Sequence, residues 1–572
     1  MLGSYHHPAS ESELIALVNM AAAEGRQLRV RGAAHSVSHA IYADPVASIP
    51  NTVSRQEPPE GDGIEVMLDR YRRCHVLHEG RMLVEAEAGI HLGPDPSDPA
   101  GTASAETSLL SQLWGWGWTL SNLGGITHQT VSGFTATGSS GGSVRYSVND
   151  DLWGFCVIDA RGKAEWFTCE DPDPSLFYAM SPNLGLLGVV SKVIFECVDA
   201  YNISGQEAIS TIEGCAIDLF GPGKATKPSL ETFLRDAEYA RVEWWPQRGA
   251  ERVQVWQAQR IRRQPGFIPK PYREFTAHPN AAEVAMSLLL TVFGNLDDLS
   301  AARPKLDLAL DRVEGLIDEL SVIKKLGKLG KLLAWSLGVA AELGADAALA
   351  LLRPFAPCLK RELPTLFPKL LGIFISLDSE KKGEPQSFRD YAWTGLSMDN
   401  EADDELLRTA FTEIWVPITW TQRVMGMLRD YFDEPTDAHE SYRRTGLDAW
   451  ELYAAKPTRL WMSASHTDGD DEWKHGVFRI DPYWFTANCD DPVSTFYTPL
   501  WQLFRDSEIP FRLHWGKYQP ASDADHPEWV KFFEPLYPRW HDFLQLRKRR
   551  DPTDTFLTSY WRDRFGLWPS PG

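Results

Sequence analysis

The stretch "RVRGAAHSVSHA", residues 29–40, decides the fold of this chain. Leu28, Arg29 and Val30 are typical of a short strand. That strand opens into a turn of the smallest residues, and the turn then presents His35 and Ser36. The pattern predicts a strand whose end carries polar side chains on a turn that leaves room beside the backbone.

The length and composition predict a globular protein of more than one domain. The chain has 572 residues, of which 43% are hydrophobic, so it can bury substantial cores. Lys and Arg total 57 against 78 Asp and Glu, which gives a formal net charge of -21. That charge repels nucleic acid and anionic membranes over most of the surface. We therefore expect a small-molecule partner and no nucleic acid.

The cysteines and the N-terminus both favour a cytoplasmic protein. The seven cysteines are scattered, odd in number and free of CxxC pairs, which fits reduced thiols better than a disulfide framework. Residues 1–25 lack a basic region followed by an unbroken apolar stretch, so they predict a helix capped by Ser10 or Ser12 and ended by Gly25. We expect no integral membrane segment, and the oligomeric state is left open.

Hydrophobic periodicity divides the chain into parts of different texture. Up to about residue 200 the pattern is α/β, with strands predicted at "IEVML", "MLVEAEAG", "WGFCVIDARG" and "GVVSKVIFECV". Beyond it, alternating strand signals surround a Leu- and Ala-rich helical insert at about 280–375. Within the insert, residues 319–337 form a basic amphipathic pattern that fits a surface helix packed on its own domain, or one that touches a membrane or partner.

A second glycine-rich stretch, "TLSNLGGITHQTVSGFTATGSSGGSVRYSVND", covers residues 119–150. Glycine permits positive φ angles, which let successive N–H groups converge on phosphate oxygens. The composition therefore suits a phosphate cradle, although such loops are more often ordinary connections. Neither GxGxxG between a strand and a helix nor GxxxxGK[ST] occurs, which disfavours the Rossmann and P-loop interpretations.

Taken together, four motifs in the same order resemble the vanillyl-alcohol oxidase and p-cresol methylhydroxylase superfamily of flavoproteins. "RVRGAAHSVSHA" resembles its first flavin loop, and "NLGGITHQTVSGFTATGSSGGS" resembles its second. "FRLHWGKYQP" is similar to the H-W-G-K motif of its alditol and aldonolactone oxidases, the D-arabinono-1,4-lactone oxidases among them, and residues 537–566 resemble their terminal element. The resemblance covers residues 8 to about 200 and 500 to 566.

The resemblance implies an FAD cofactor and names the residues that would bind it. In the family the first loop wraps the FAD pyrophosphate, and the histidine at the position of His35 is often attached covalently to the flavin 8α carbon; the alternative is noncovalent FAD with His35 only packing. The expected cofactor-binding residues are Arg31, Gly32, Ala33, Ala34, His35, Ser36, Gly125, Thr130, Gly133, Thr135, Thr137, Gly138, Gly142, Val189 and Lys517. Ala33 and Ala34 replace a commoner glycine, which is tolerable only if φ stays negative. For Val189, a plain core strand position is equally compatible.

The resemblance also implies the catalytic residues. Lys517 stands at the lysine of the H-W-G-K motif, where an ammonium can stabilise negative charge on the reduced flavin; the alternative is a surface ion pair. His514 is expected to orient the site or to fill a core position. No metal is expected.

One departure from the family bears on the substrate. Aldonolactone and alditol oxidases usually carry a Glu-x-Arg pair on a strand of the cap domain. The corresponding region here is taken to be "KPTRLWMSASHTDGDD", residues 456–471, which has no such pair and offers Arg459, Trp461 or Ser463 instead. A polyol needs specific polar partners, so we expect a less polar alcohol to be a candidate beside sugar-derived alcohols and lactones.

These observations predict an α+β fold with a PCMH-type FAD-binding domain at residues 1–200. A cap domain built on an antiparallel sheet flanked by helices would occupy residues 201–500, and residues 501–572 would return to the FAD domain. The predicted function is oxidation of a CH–OH group by hydride transfer to the flavin, with oxygen reduced to hydrogen peroxide. The alternatives are a dehydrogenase of the same fold with another acceptor, and a non-catalytic flavin-binding protein.

Overall fold

The computed structural model describes residues 5–52, 57–273, 279–295, 298–303, 306, 331, 345–381, 385–400, 408–434, 442, 444–488 and 490–568. Helices and largely antiparallel sheets alternate in these residues, which confirms the predicted α+β class.

The strands form four sheets, of five, nine, two and two members. Their bounds are β1 Leu28–Arg31, β2 Ile64–Met67, β3 Cys74–His78, β4 Leu83–Glu87, β5 Trp118–Thr119, β6 Leu152–Ile158, β7 Ala164–Thr168, β8 Val189–Glu196, β9 Val198–Asp199, β10 Tyr201–Thr211, β11 Tyr239–Trp245, β12 Arg252–Arg262, β13 Gln386–Tyr391, β14 Thr409–Phe411, β15 Ile414–Pro417, β16 Trp450–Ala455, β17 Val477–Phe485 and β18 Arg512–Leu513.

The helices lie before, between and after these strands. Their bounds are α1 Glu11–Glu24, α2 Ser38–Ile41, α3 Leu109–Trp116, α4 Val131–Thr137, α5 Ser175–Ala179, α6 Leu230–Asp236, α7 Pro279–Gly294, α8 Ala345–Leu352, α9 Ala356–Phe374, α10 Ala392–Gly395, α11 Thr421–Asp433, α12 Thr498–Asp506, α13 Glu528–Phe533, α14 Trp540–Arg550 and α15 Ser559–Phe565.

Helix α1 begins and ends where the sequence predicts. The side chain of Ser10 accepts a hydrogen bond from the Glu13 amide, and Gly25 ends the helix in the left-handed conformation with φ 65°. Leu14, Val18 and Ala21 are buried on one face. The chain then enters β1, which pairs in parallel with β2.

The five-stranded sheet has the order β3-β4-β8-β6-β7 and is antiparallel throughout. Its members β4, β6 and β8, together with β2 of the small parallel sheet, are the four strands that the sequence predicts in the first 200 residues. Alternating and continuous apolar runs form these strands because one or both faces are buried. Strand β8 starts at Val189 and contacts helix α4.

The nine-stranded sheet has the order β13-β10-β12-β11-β16-β17-β15-β18, and β14 pairs with β17. It combines strands from residues 201–262, 386–417, 450–485 and 512–513. Pairing of β15 with β18 brings the "FRLHWGK" motif onto the far end of this sheet. The C-terminal segment therefore reaches both the sheet and the first loop, since Val37 donates a hydrogen bond to the Gly516 carbonyl at 2.9 Å.

The insert predicted at about 280–375 is helical where the structure describes it, in α7, α8 and α9. The basic amphipathic segment at 319–337 lies outside the described residues apart from Lys331. Among the helices that are described, none combines the length and apolar character needed to cross a membrane.

Candidate active site

A cavity of about 1000 Å³ opens where the first loop, the second loop and the C-terminal segment meet. Its walls are formed by Leu28, Arg29, Val30, Gly32, Ala33, Ala34, His35, Ser36, Ala40, Ile41, Gln129, Thr130, Ser132, Gly133, Ala136, Thr137, Asn183, Leu184, Gly185, Gly188, Val189, Val190, His514, Lys517, Phe556 and Trp561. The cavity thus joins residues that are far apart in the chain.

Five consecutive residues of the first loop line this cavity, from Gly32 to Ser36. Gly32 is needed for the approach of the two loops, because a Cβ there would lie 2.5 Å from Thr130 Oγ1. Arg31, also predicted as a cofactor-binding residue, is not among the residues of this cavity wall. Its guanidinium carbon lies 5.7 Å from the Tyr5 ring centroid, as part of a buried cluster on the other side of β1.

Ala34 has φ 61°, in the left-handed region. The sequence-based condition that both loop alanines keep a negative φ is therefore wrong for Ala34, although Ala33 does not have a positive φ. The left-handed conformation costs a residue with a Cβ about 1 kcal/mol. The loop holds this strain in order to turn His35 and Ser36 toward the cavity.

Helix α4 supplies the second loop's part of the wall. Thr130 is its N-cap and accepts a hydrogen bond from the Gly133 amide at 3.2 Å. Thr130, Gly133 and Thr137 line the cavity, as the resemblance led us to expect of flavin-binding residues. Their predicted contact with the cofactor stays a prediction.

The other predicted residues of the second loop lie outside this cavity wall. Thr135 donates its hydroxyl to the Val131 carbonyl within the helix, and Gly138 ends that helix with φ 77°. Gly125 packs against the Asp399 carboxylate, and Gly142 against the backbone of Ala240. These glycines bring the second loop against the large sheet, so the structure gives them a packing reason besides the predicted one.

Two polar side chains in the cavity wall keep unsatisfied atoms. Asn183 is fully buried and its Nδ2 has no hydrogen-bond partner among the described residues, while its Oδ1 accepts from the Gly185 amide at 2.9 Å. Gln129 Oε1 is likewise without a hydrogen-bond partner in that part of the chain. A buried donor and acceptor left open cost free energy unless a bound molecule satisfies them. The sequence analysis missed both.

Arg29 holds the wall together from β1. Its buried guanidinium donates to the carbonyls of Ala40 at 2.7 Å, Phe556 at 3.0 Å, Leu184 at 3.1 Å and Gly185 at 3.3 Å. Burial lowers the pKa of Arg29 to about 10, so the side chain stays charged at neutral pH. In the sequence, an arginine in the middle of a buried strand is the feature that indicates this role.

The C-terminal motif closes one end of the cavity. Lys517 Nζ lies 3.3 Å from the His35 carbonyl oxygen and 4.0 Å from the Phe411 ring centroid. His514 also lines the cavity, is 5% exposed, and accepts a hydrogen bond from the Gly516 amide on Nδ1. Burial, with the nearby charges of Lys517 and Arg479, lowers the pKa of His514 to about 4, so the imidazole is neutral at pH 7.

Behind this motif, the large sheet carries a buried carboxylate–guanidinium group. Arg479 Nε lies 3.0 Å from Glu413 Oε1, and Arg479 Nη2 lies 3.0 Å from Asp481 Oδ2. Burial raises the pKa of Glu413, but the charges of Arg479 and Lys517 outweigh it and hold that pKa below its usual value. Burial and the neighbouring Glu413 raise the pKa of Asp481 well above its usual value. Glu413 is therefore the ionised partner of Arg479.

The sequence analysis did not find this group because its partners come from different strands. Trp415 on β15 lies directly across from Arg479 on β17, and Glu413 immediately precedes β15. The segment examined for it, residues 456–471, folds as a series of turns and contains no regular strand. There Arg459 stacks on the Tyr178 ring at 4.4 Å, while Trp461 and Ser463 are buried. Only strand pairing brings the carboxylate and the guanidinium together.

The site chemistry fits FAD. The cavity offers an open donor on Asn183 and an open acceptor on Gln129, and glycine at position 32 lets the two loops approach each other along its wall. Val189, at the start of β8, lines the same cavity. No metal-binding group of three or more His, Cys, Asp or Glu residues occurs in the described ranges.

Comparison with known proteins supports the same family. The family described as D-arabinono-1,4-lactone oxidase matches residues 485–564. The chain is 26% identical to a D-arabinono-1,4-lactone oxidase of Eremothecium gossypii over 243 residues, 42% of this chain and 38% of that protein. It is 23% identical to an L-gulonolactone oxidase of Mus musculus over 42% of this chain and 45% of that protein. The matches thus span less than half of these relatives, and they confirm the resemblance that the motifs indicate.

Solved structures confirm the fold. Cholesterol oxidase from B. sterolicum superposes with a TM-score of 0.59 at 14% identity, covering 98% of this chain and 93% of that chain. A solvent-stable cholesterol oxidase gives the same TM-score and identity over 98% and 94%. The architecture is therefore the PCMH-type flavoprotein fold.

Replacement of Ala34 by glycine should stabilise the protein, because glycine adopts a positive φ without the steric cost that alanine has. We expect Ala34→Gly to raise the free energy of unfolding by about 0.5 kcal/mol after the loss of unfolded-state restriction is included. Urea unfolding measures it. Ala33→Gly is the matched control and should destabilise by a similar amount; a gain in both variants would contradict the assignment of strain to Ala34.

Replacement of Arg479 by methionine should destabilise the protein by about 3 kcal/mol at pH 7, because Glu413 is then buried without its counter-ion. In the native protein the low pKa of Glu413 contributes stability above the pKa of the unfolded chain, and this is lost as the pH falls through the folded value. In the variant burial dominates, so the pKa of Glu413 rises and stability falls as the pH rises.

Urea unfolding at pH 5 and pH 8 tests the reversal, with pH values chosen to bracket a carboxyl whose pKa has moved up from about 4.3. The exposed Arg459→Met is the control and should leave the pH dependence unchanged. Adding Glu413→Gln to Arg479→Met should restore part of the stability at pH 8. If Arg479→Met is no more destabilised at pH 8 than at pH 5, the buried ion pair does not control the ionisation of Glu413.

Proposed function

We propose that this chain binds FAD in the cavity and is an FAD-dependent oxidase of a CH–OH group. The observation that carries the proposal is that His514 and Lys517 line the cavity while the His514 amide donates to the Glu413 carbonyl at 3.1 Å, so that a cofactor in the cavity would lie beside the buried Glu413–Arg479 group. The relatives named as lactone oxidases support it. Residues 1–200 and 501–572 would form the FAD domain, with the cap between them.

The first loop would hold the cofactor through the backbone of Gly32 to Ser36, and the second through Thr130, Gly133 and Thr137. Asn183 and Gln129 would satisfy their open polar atoms on it, and His35 would be its point of covalent attachment. When bound, FAD supplies a two-electron acceptor for the substrate hydride and passes both electrons to oxygen. The carbon loses a hydride, the hydroxyl loses a proton, a C=O bond forms, and oxygen with two electrons and two protons leaves as hydrogen peroxide.

The protein's own residues would set the charge around this reaction. Lys517 would stabilise negative charge that develops near the His35 end of the cavity. Neutral His514 would orient the site without adding charge. Arg479, fixed between Glu413 and Asp481, would bind a substrate oxygen with a guanidinium that cannot release its proton at neutral pH. Because its pKa is low, Glu413 would position Arg479 and is a poor general base.

The substrate that this site favours is rich in hydroxyl groups. Beyond Arg479, the same face of the sheet continues with Tyr453 and Glu451, whose side chains bond at 2.7 Å, and with Arg241 near Glu451 and Asp399. A substrate that inserts among these paired groups has to replace their hydrogen bonds, which an alcohol without further hydrogen-bonding groups cannot do. We therefore propose a sugar-derived lactone or polyol over the less polar alcohol that the sequence left open.

The two alternatives differ in an observable way. A dehydrogenase of the same fold would reduce its flavin with the same substrate and release little peroxide in air. A non-catalytic flavin-binding protein would bind FAD without any substrate reducing it. The relatives named as oxidases favour the oxidase.

Flavin bleaching without oxygen tests the function. Among aldonolactones, polyols, aromatic alcohols and sterols, we expect lactones or polyols to reduce the flavin, and peroxide to appear when air is admitted. Lys517→Met should slow reduction by about 100-fold, because an ammonium that stabilises transition-state charge is lost. Lys456→Met, which removes a lysine paired with Asp150, is the control. A flavin that no alcohol or lactone reduces would favour the binding protein.

The linkage has its own test. We expect acid precipitation of the native protein to leave the flavin in the pellet, and His35→Ala to release it into the supernatant, because the C8α bond requires the imidazole. His128→Ala is a close control, since its ring centroid lies 6.0 Å from that of His35. Flavin absorbance of pellet and supernatant reports both. Acid-stable flavin in His35→Ala, or free flavin in the native protein, would show that His35 is not the attachment site.

A further inference from the structure

An exposed apolar tip lies at the edge of the large sheet, away from the residues of the proposed reaction. Ile268, on the loop after β12, is 71% exposed. Phe267 stands beside Ile268 and is partly exposed. Large apolar side chains that cluster on a surface indicate an interaction site.

The tip is one surface. The Trp114 ring lies 4.9 Å from Tyr391, and Tyr391 lies 5.6 Å from Phe267, so aromatic contacts run from α3 across the end of β13 to the loop. We call this surface the aromatic tip and define it by Trp114, Phe267, Ile268 and Tyr391.

The loop that carries Phe267 and Ile268 is rigid. The Phe267 amide donates to the Gln264 carbonyl across Pro265 and Gly266, and Gly266 has φ 72°, the geometry of a type II turn. Beyond the tip, Lys270 and Arg389 exchange two backbone hydrogen bonds at 2.7 and 3.0 Å, which fix the loop to the edge strand. The two apolar side chains are thus held outward at little entropic cost to binding.

Basic side chains surround the aromatic tip. Arg262, Arg263, Lys270 and Arg389 are exposed, and none forms an ion pair with a carboxylate in the described part of the chain. Arg263 stacks on Trp114 at 4.5 Å, and Arg389 lies 5.9 Å from the Phe267 ring centroid.

We propose that the aromatic tip docks this protein on an anionic lipid membrane. The local charge is positive although the chain as a whole carries -21, so an anionic surface meets attraction here and repulsion elsewhere. Tryptophan, phenylalanine and isoleucine insert at the level of lipid headgroups, where arginine and lysine pair with phosphates. Docking is peripheral and requires no spanning segment.

The shape of the tip favours lipid over a folded partner. A stable protein interface needs roughly 800 Å² on each side with a complementary surface. The tip instead presents a few side chains on a convex loop, with cations around them, which suits insertion between headgroups. The proposal does not rest on the proposed reaction, because membrane binding is measured without substrate.

Vesicle sedimentation tests the proposal with the full chain. We expect the protein to sediment with vesicles of phosphatidylcholine and phosphatidylserine but only weakly with phosphatidylcholine alone, and raised salt should release it. Ile268→Ser with Phe267→Ser should weaken binding about tenfold or more, because buried apolar groups are lost. Arg263→Glu with Lys270→Glu should weaken binding by at least about tenfold, since each basic residue near the surface contributes on the order of 1 kcal/mol.

Matched controls stand elsewhere on the surface. Trp166 is 40% exposed on β7, and Trp166→Ser should leave vesicle binding unchanged, as should Arg549→Glu on α14. Thermal unfolding checks that each variant is folded. Equal binding by tip variants and control variants overturns the proposal, as does no binding to anionic vesicles. A tip variant that changes the mass in solution while vesicle binding stays equal to that of the native chain would instead assign the tip to a second copy.

Discussion

The guanidinium of Arg29 is the interaction on which the site depends. It lies in β1 and donates to carbonyls from three separate parts of the chain. These are residue 40 after the first loop, residues 184–185 before β8, and residue 556 between α14 and α15. Carbonyls of turns cannot pair with one another, so a single buried fork of donors satisfies all of them. Every one of these residues lines the cavity, so the Arg29 guanidinium joins the separate segments that form its walls.

In the C-terminal segment a buried carboxylate has a similar role, because it accepts hydrogen bonds from backbone amides. Asp551 is fully buried and accepts hydrogen bonds from the amides of Thr555 at 2.8 Å and Phe556 at 2.9 Å. This turn presents the Phe556 carbonyl to Arg29 and the Thr555 carbonyl to the Leu28 amide. Strand β1 is therefore flanked by β2 through pairing and by the chain's end through side-chain and backbone bonds. Docking of the last seventy residues completes the cavity as well as the sheet.

How much the sequence predicts depends on how local the cause is. The caps of α1, the strands of the first 200 residues and the order of the four motifs are visible because neighbouring residues determine them. The loop residues that line the cavity follow from the motif, whereas the packing of Gly125 and Gly142 against the large sheet could not be told from cofactor binding, since both require a missing Cβ. The sequence spacing of Glu413 and Arg479 does not reveal their contact, because strand register sets the distance between them. The positive φ of Ala34 could not be predicted either, because the loop imposes it against the preference of alanine for a negative φ.

The arginines of the "RIRR" sequence at the end of β12 have two different roles, which depend on how buried each one is. Arg260 lies 3.4 Å from the Tyr146 ring centroid and 4.3 Å from that of Tyr201, and it donates to the Ser121 carbonyl at 2.7 Å and to the Tyr239 hydroxyl at 2.8 Å. It thereby fastens the second loop to the large sheet with part-buried hydrogen bonds and ring contacts. Arg262, the last residue of β12, and Arg263, which follows it, are exposed and keep their charge in solvent. Because the strand is continuous, the same element that fixes the cofactor loop also fixes the aromatic tip, and a membrane bound at the tip would stand at a set orientation to the cavity.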